Sequence, residues 1–254
     1  MSDLVLTSFE DGVAVVTINR PEARNAVNRA VADAVAEAVD QLDARDDLVV
    51  GVITGAGGTF CAGADLKALA AGERSGIPGR GFCGVTETPP TKPLIAAVEG
   101  YALGGGTELA LACDLIVASG TAKFGLPETK RGLIAAGGGL VRLPRRIPYA
   151  VAMQYALTGS LLPAQRAYEL GMVNALTPEG GALDGALSLA REIAANGPLA
   201  VRASKQIVTE SADWAADEVW ARNRAACEPV FASADAQEGA RAFAEKRAPR
   251  WSAR

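Results

Sequence analysis

The sequence predicts an α/β fold, and three observations predict it. Val13-Ala14-Val15-Val16-Thr17-Ile18 alternates with the period of a half-buried strand. Short continuous apolar runs follow at 49–54, 94–98 and 115–118, the mark of buried strands. Between them, Val31, Val35, Val39 and Leu42 recur at helical spacing. Strands alternating with helices imply layers joined by crossovers.

The first strand, 13–18, is expected to pair with 4–8 across the Asp11-Gly12 turn. Asn28 is the expected N-cap of the helix carrying Val31. A helix is expected to start near Gly105 and continue through 109–112, before the strand at 115–118. After about residue 160 the pattern becomes helical. One helix spans 163–170, closed by Gly171, and another spans 182–195, closed by Asn196-Gly197-Pro198. Further helical segments carry Ile207, Trp214, Val219, Trp220, Phe231 and Phe243, an apolar stripe expected in the core or at a subunit interface. The chain thus divides into a core over 1–195 and a helical region over 196–254. The glycine- and proline-rich stretch 70–92 is the expected mobile loop.

With 254 residues, 49% hydrophobic and 21% charged, the chain is long enough for a large core. A net charge of −4 argues against a nucleic-acid partner, which would require a basic face. Cys61, Cys83, Cys113 and Cys227 are widely separated, with no C-x-x-C pair. They are expected as buried thiols in a reducing compartment, not as disulfides or a zinc site. Met1-Ser2-Asp3-Leu4 has no signal-like character, and no apolar run is long enough to span a bilayer. A soluble, cytoplasmic protein without membrane contact is expected.

The chain contains no histidine, so proton transfer near neutral pH falls to carboxylates, Lys, Tyr or Cys. Glu108 ends Gly104-Gly105-Gly106-Thr107-Glu108, and Glu128 ends Phe124-Gly125-Leu126-Pro127-Glu128. Both glutamates lie in apolar, glycine-marked sequence, where desolvation raises a carboxyl pKa and can set two neighbours apart. The segments 54–66 and 99–109 each follow a strand and present small residues where the chain turns. Backbone amides there can approach a ligand carbonyl, and two such amides, one beside a helix N-terminus, would make an oxyanion hole. Taken singly, either segment is accounted for by turn formation alone.

Several stretches, in this order and spacing, resemble the enoyl-CoA hydratase/isomerase (crotonase) family over nearly the whole chain. They are Asn19-Arg20-Pro21-Glu22-Ala23-Arg24-Asn25-Ala26, 60–66, 100–108, 124–128, Arg142-Leu143, Glu238-Gly239 and Phe243-Ala244-Glu245-Lys246-Arg247. The resemblance implies a crotonase-like spiral of ββα units with a C-terminal helical trimerisation region, hence a homotrimer or a dimer of trimers. It implies an acyl-CoA thioester whose carbonyl accepts from the amides of Ala64 and Gly105. Glu108 would activate water for attack at C3, and Glu128 would protonate C2. Isomerases of the family commonly lose the first acid, so Glu108 favours a hydratase. For the CoA itself the resemblance points to Ala23, Arg24, Ala62, Asp65, Leu66, Gly104, Phe243 and Lys246. CoA would be part of the substrate, with no separate cofactor and no metal.

Some of these residues have simpler readings. Arg24 and Lys246 are equally read as solvated charges, Asp65 as the pin of its own turn, and Asp114 as a cap for buried backbone. Three departures from the family bear on substrate choice. Ala135 stands where many relatives have proline, Lys130 and Arg131 follow Glu128 closely, and Cys227 stands where some relatives carry an aromatic residue. A cation beside Glu128 would lower its pKa unless it points away. The acyl pocket is expected between 70–92 and 133–143, and its occupant ranges from a fatty acyl chain to a polar carnitine-type group.

Other classes fit poorly. Ile53-Thr54-Gly55-Ala56-Gly57 imitates a short-chain dehydrogenase opening, but no Tyr has a Lys four residues later. Serine hydrolase chemistry lacks a histidine or a Ser-x-x-Lys, and no Walker A loop occurs. Two alternatives stay open: a Δ3,Δ2-enoyl-CoA isomerase using Glu128, and a non-catalytic acyl-CoA-binding protein.

Overall fold

Asp11 and Gly12 both take positive φ, 50° and 78°, the two-residue turn geometry that matches the twist of the strands it joins. In the computed structural model, which describes residues 4–253, β1 (Val5–Glu10) therefore pairs antiparallel with β2 (Val13–Ile18), from Glu10↔Val13 to Val5↔Ile18. A short 3-10 turn (Pro21–Ala23) leads to α1 (Arg29–Ala44), whose cap is Asn28, its Oδ1 accepting from the Val31 amide at 3.1 Å. Then come β3 (Val50–Gly55), α2 (Leu66–Ala70), β4 (Gly76–Ile77) and β5 (Gly81–Phe82). The central stretch holds β6 (Leu94–Val98), β7 (Tyr101–Leu103), α3 (Gly105–Ala112), β8 (Leu115–Ser119) and β9 (Lys123–Gly125). After a 3-10 turn (Pro127–Arg131) follow α4 (Gly139–Arg146), α5 (Tyr149–Thr158), β10 (Leu161–Pro163), α6 (Ala164–Glu169), β11 (Ala175–Thr177) and α7 (Ala182–Ala194). The last helices are α8 (Pro198–Glu210), α9 (Val219–Phe231) and α10 (Ala234–Glu245).

The main sheet runs β1-β2-β3-β6-β8-β11 and is parallel from β2 onward. Both of its faces are covered, as parallel sheets require. Val50, Val52, Ile95, Ala97 and Val117 point to one face, packed with Ala186 and Ala190 of α7. Their sequence neighbours Ile53, Leu94, Ala96 and Ile116 point to the other, into the larger core with Val31, Val35 and Leu42 of α1. The period of two decides which residue faces which helix.

A second sheet, β10-β9-β7, lies alongside, and Cys61 bridges onto it at Ala102. Each turn of chain gives one strand to the main sheet, one to the second sheet, then a helix: β6, β7, α3, and next β8, β9 and the 3-10 turn. This is the ββα spiral implied by the resemblance. It carries Glu108 and Glu128 to equivalent places on successive turns, each just beyond a strand of the second sheet.

Three expectations are corrected or narrowed. The stretch 70–92 contains the β4–β5 hairpin and buries Phe82, Cys83, Val85 and Thr86. Arg80 ties it to α1 through Asp40 at 2.7 Å. The aromatic stripe of the last helices does not enter the core of the chain: Trp220 is 69% exposed, Phe231 78% and Phe243 88%. Neither α8 nor α9 buries any of its residues. What anchors α8 is polar, with Lys205 Nζ donating to Pro90 O (2.7 Å), Lys92 O (2.9 Å) and Asp114 Oδ2 (2.7 Å). Asp114 also accepts from the Leu94 amide at 2.8 Å, so it satisfies backbone as expected. Cys61, Cys83 and Cys113 are buried free thiols, whereas Cys227 on α9 is only half-buried. Among the described residues, no helix is long and apolar enough to cross a membrane.

Candidate active site

Gly104 sits at φ 53°, ψ −124°, a backbone region that side chains other than glycine's make costly. It turns the chain from β7 into α3, while its amide donates to Gly125 O at 2.8 Å. Thr107 Oγ1 fixes the same junction, donating to Ala102 O (2.6 Å) and accepting from the Gly125 amide (2.9 Å). The first turn of α3 is thereby locked to β9, and Glu108 enters the interior, 4% exposed.

Gly63, at φ 92°, lets the 62–64 loop lie flat on the next turn of the spiral. A Cβ there would stand 2.7 Å from Leu103 O and 3.2 Å from the Gly105 amide nitrogen. The same loop is bridged to Val27 through Ala64, with the Val27 amide donating to Gly63 O and the Asp65 amide to Val27 O. These bonds leave the Ala64 amide unused. The Gly105 amide opens α3 and has no intrahelical acceptor. Among the described residues, neither amide donates to a protein atom. Two adjoining loops thus each present a free N–H.

The two carboxyls differ in their surroundings. Burial raises the Glu108 pKa above the usual carboxylate value, and the negative charge of Glu128 pushes the same way. Against this stand the amides of Gly139 and Gly137 and the Arg142 guanidinium. Gly139, the first residue of α4, donates to Glu108 Oε1 at 2.9 Å, so a helix N-terminus also faces the carboxylate. Burial likewise raises Glu128, opposed by its own backbone amide and by Arg131. Its Oε2 is buried with no hydrogen-bond partner. Lys130 instead extends its methylenes toward Gly159, where a Cβ would lie 3.2 Å from Lys130 Cε. A cation does follow Glu128, yet desolvation prevails and the acid stays above its ordinary value.

Both glutamates open on one cavity of about 770 Å³. Ala62, Ala64, Leu66, Gly104 and Gly105 line it too, so the structure gathers seven of the expected site residues. Its apolar wall includes Ile77 and Phe82 from the 70–92 stretch and Leu133 and Ile134 from the 133–143 stretch. Arg74, Glu87 and Arg131 supply its charged lining. The other expected residues stand elsewhere. Asp65 caps α2, accepting from the amides of Lys67 (3.0 Å) and Ala68 (3.3 Å), and pairs with Arg20 at 3.2 Å. It pins its own turn. Arg24 contributes its carbonyl to the Ala62 amide at 3.0 Å, which takes that amide out of use, and neither Ala23 nor Arg24 lines the cavity. Phe243 and Lys246 are exposed at the end of α10, also outside the lining.

The sequence reading missed two supports. Asn25 is fully buried and donates to Ala56 O (2.8 Å) and Thr59 O (2.6 Å), while its Oδ1 accepts from the Arg20 amide. It latches the loop that leads to Ala64. Arg142 reaches Thr86 O and Gly137 O, joining the β4–β5 segment to the loop before α4. Both residues stood inside quoted motifs, but nothing in their spacing showed which backbone they would meet.

The comparisons with known proteins agree with this architecture. Residues 8–254 match the enoyl-CoA hydratase/isomerase family. An enoyl-CoA hydratase of Mycobacterium tuberculosis, EchA19, is 44% identical over 92% of this chain and 91% of its own. A carnitinyl-CoA dehydratase of Salmonella arizonae is 42% identical over 99% of each. A crystal structure of an enoyl-CoA hydratase from Mycobacterium tuberculosis superposes with a TM-score of 0.97, at 60% identity and 99% coverage of both chains. A shared spiral and a match running almost from end to end leave one conclusion: the chain belongs to the enoyl-CoA hydratase/isomerase family.

Proposed function

We propose that this protein is an enoyl-CoA hydratase, adding water across the 2,3 double bond of a trans-2-enoyl-CoA to give the 3-hydroxyacyl-CoA. The observation that carries this reading is the unequal pair of carboxyls, one buried and one half-buried, on a cavity that also holds two unengaged amides. Glu108, with amide donors and a nearby guanidinium, is the group better able to hold a negative charge. It takes a proton from water as the hydroxyl bonds to C3. Electrons of the double bond shift toward the thioester carbonyl, whose oxygen takes up charge against the Ala64 and Gly105 amides. Preorganised donors contribute most at that developing charge. Glu128, with an unpartnered oxygen and no amide but its own, is the better proton reservoir, and its proton goes to C2. Proton return from Glu108 to Glu128 through solvent closes the cycle.

Ala62, Leu66 and Gly104 flank the thioester in this reading. Ala23, Arg24, Phe243 and Lys246, which lie off the cavity, are assigned to the CoA nucleotide end, with the two cations toward its phosphates, while Asp65 supports the loop that carries Ala64. The working unit is a homotrimer or a dimer of trimers. Two helices without a single buried residue, α8 and α9, the latter exposing Trp220 and Phe231, support that assembly. A monomer in light scattering would remove it.

The test is loss of conjugated-thioester absorbance on crotonyl-CoA and longer trans-2-enoyl-CoAs, with Glu108→Ala and Glu128→Ala alongside. Each substitution should lower kcat by about 10²–10⁴-fold. Isomerisation of a 3-enoyl-CoA that survives Glu108→Ala, with no hydration by the parent protein, would replace the reading with an isomerase. CoA-thioester binding without turnover on any chain length would replace it with a binding protein.

A further inference from the structure

Phe82 stands between the two halves of the site. It is the last residue of β5, 8% exposed, and it lines the cavity that both acids share. A Cβ on Gly105 would lie 2.5 Å from Phe82 Cε2 and Cζ and 2.8 Å from Cε1, so the far edge of the ring rests on the residue that opens α3. At the near end, a Cβ on Gly137 would lie 3.2 Å from Phe82 Cβ and 2.7 Å from Glu108 Oε2. One side chain therefore packs against the backbone that presents the Gly105 amide and against the loop that holds Glu108. We infer that Phe82 is a positioning residue: its ring fixes the spacing between the thioester-binding amide and the water-activating carboxylate, and keeps solvent off that amide. The inference rests on the acyl-CoA reading above.

The turn that carries the ring is itself pinned. The Phe82 amide donates to Thr86 Oγ1 at 2.9 Å, and the Phe82 carbonyl accepts from the amides of Val85 (3.2 Å) and Thr86 (3.3 Å). Thr86 O accepts in turn from Arg142, which also reaches Gly137 O at 3.5 Å. One guanidinium thus ties the turn bearing the ring to the loop bearing the Glu108 donors. With the ring in place, the N–H beside it meets a ligand oxygen without competition from water, where a preorganised donor contributes most. The contact with Gly105 is made only by the ring's outermost atoms. Side-chain length decides whether a replacement can make it: methionine reaches that far, and leucine ends a bond short.

The experiment binds para-dimethylaminocinnamoyl-CoA to the whole protein, because its conjugated chromophore shifts to the red as the thioester carbonyl is polarised. Bound spectra and crotonyl-CoA hydration are compared for the parent, Phe82→Leu, Phe82→Met and Phe82→Ala, each checked for a cooperative melt. Phe82→Leu and Phe82→Ala should lose most of the red shift and lower kcat by about 10–100-fold, with KM changed by less than about threefold. Phe82→Met should keep both close to the parent. A role in packing alone would instead rank leucine with methionine, since the two conserve apolar volume about equally. Spectra and kcat that stay unchanged in Phe82→Leu, or that fall alike in Phe82→Leu and Phe82→Met, overturn the inference. The leucine–methionine comparison decides this even where Phe82→Ala does not fold. A bound probe without a red shift in the parent removes the oxyanion reading and the inference with it. A red shift without hydration, lost in Phe82→Leu and kept in Phe82→Met, supports the inference and overturns only the hydratase.

Discussion

Glu108 Oε1 accepts a hydrogen bond from the Gly139 amide at 2.9 Å. The carboxylate in the first turn of α3 is thus held by the first residue of α4, thirty-one positions later in the chain. Glu128 receives no such donor on its Oε2, and this asymmetry underlies the roles assigned to the two acids.

Removing the half-buried acid at 128 should stabilise the protein at alkaline pH. Its folded pKa is raised by burial, so above the ordinary carboxylate range the native state binds more protons than the unfolded chain. Stability then falls as pH rises toward the folded pKa. Glu128→Gln removes the ionisation and should gain about 0.5–2 kcal/mol at pH 8. The gain should shrink at pH 4, where both states are protonated. Urea melts at the two pH values check it, and an equal gain at both would contradict it.

Two arginines should move opposite limbs of the activity profile. Arg131 lowers the Glu128 pKa and Arg142 lowers that of Glu108. Glu128 must be protonated to act, so activity is lost as pH rises through its pKa, and Arg131→Met should carry the alkaline limb upward. Glu108 must be ionised, so Arg142→Lys or Arg142→Met should carry the acid limb upward, further for Met. A pH series of kcat/KM decides this, and limbs that stay fixed would argue that other groups titrate.

A side chain at Gly104 should damage fold and chemistry together. The new Cβ would meet Glu128 Oε1 at 2.8 Å on a backbone with φ 53°. Gly104→Ala should cost about 1–3 kcal/mol of stability and lower kcat at least tenfold by displacing the acid. Thermal melts and initial rates report the two effects separately.

Lys205 should matter for stability and not for the chemical step. Its ammonium joins Asp114 to two carbonyls preceding β6. Lys205→Met leaves a half-buried carboxylate and two carbonyls without that donor, at about 1.5–3 kcal/mol. Urea denaturation should show the loss, while kcat on the folded fraction changes less than twofold.

Much of this was legible from residue order. Asp11-Gly12 announced its hairpin and Asn28 its helix, because turns and caps depend on neighbours within four residues. The glycine loops around Ala64 and Gly105 were legible for the same reason. Asn25, by contrast, gave no sign of its bonds to Ala56 and Thr59, which lie more than thirty residues away. The 70–92 stretch read as a loop because its order comes from Asp40 on another element. Trp220 and Phe231 read as core or subunit interface because their apolar character is local, whereas which of the two holds is decided by packing, and they lie outside the core of the chain.

The sequence alone determined the alternation of strands and helices, the two candidate acids and the small residues flanking them, since each follows from local backbone preference and residue type. Only the tertiary structure decided that Glu108 meets Gly139 while Glu128 Oε2 meets nothing, and that Lys130 turns away while Arg131 stays near. Burial and partnership are properties of the assembled neighbours, and it is desolvation by those neighbours, more than the identity of the adjacent residue, that sets how each carboxyl holds its proton.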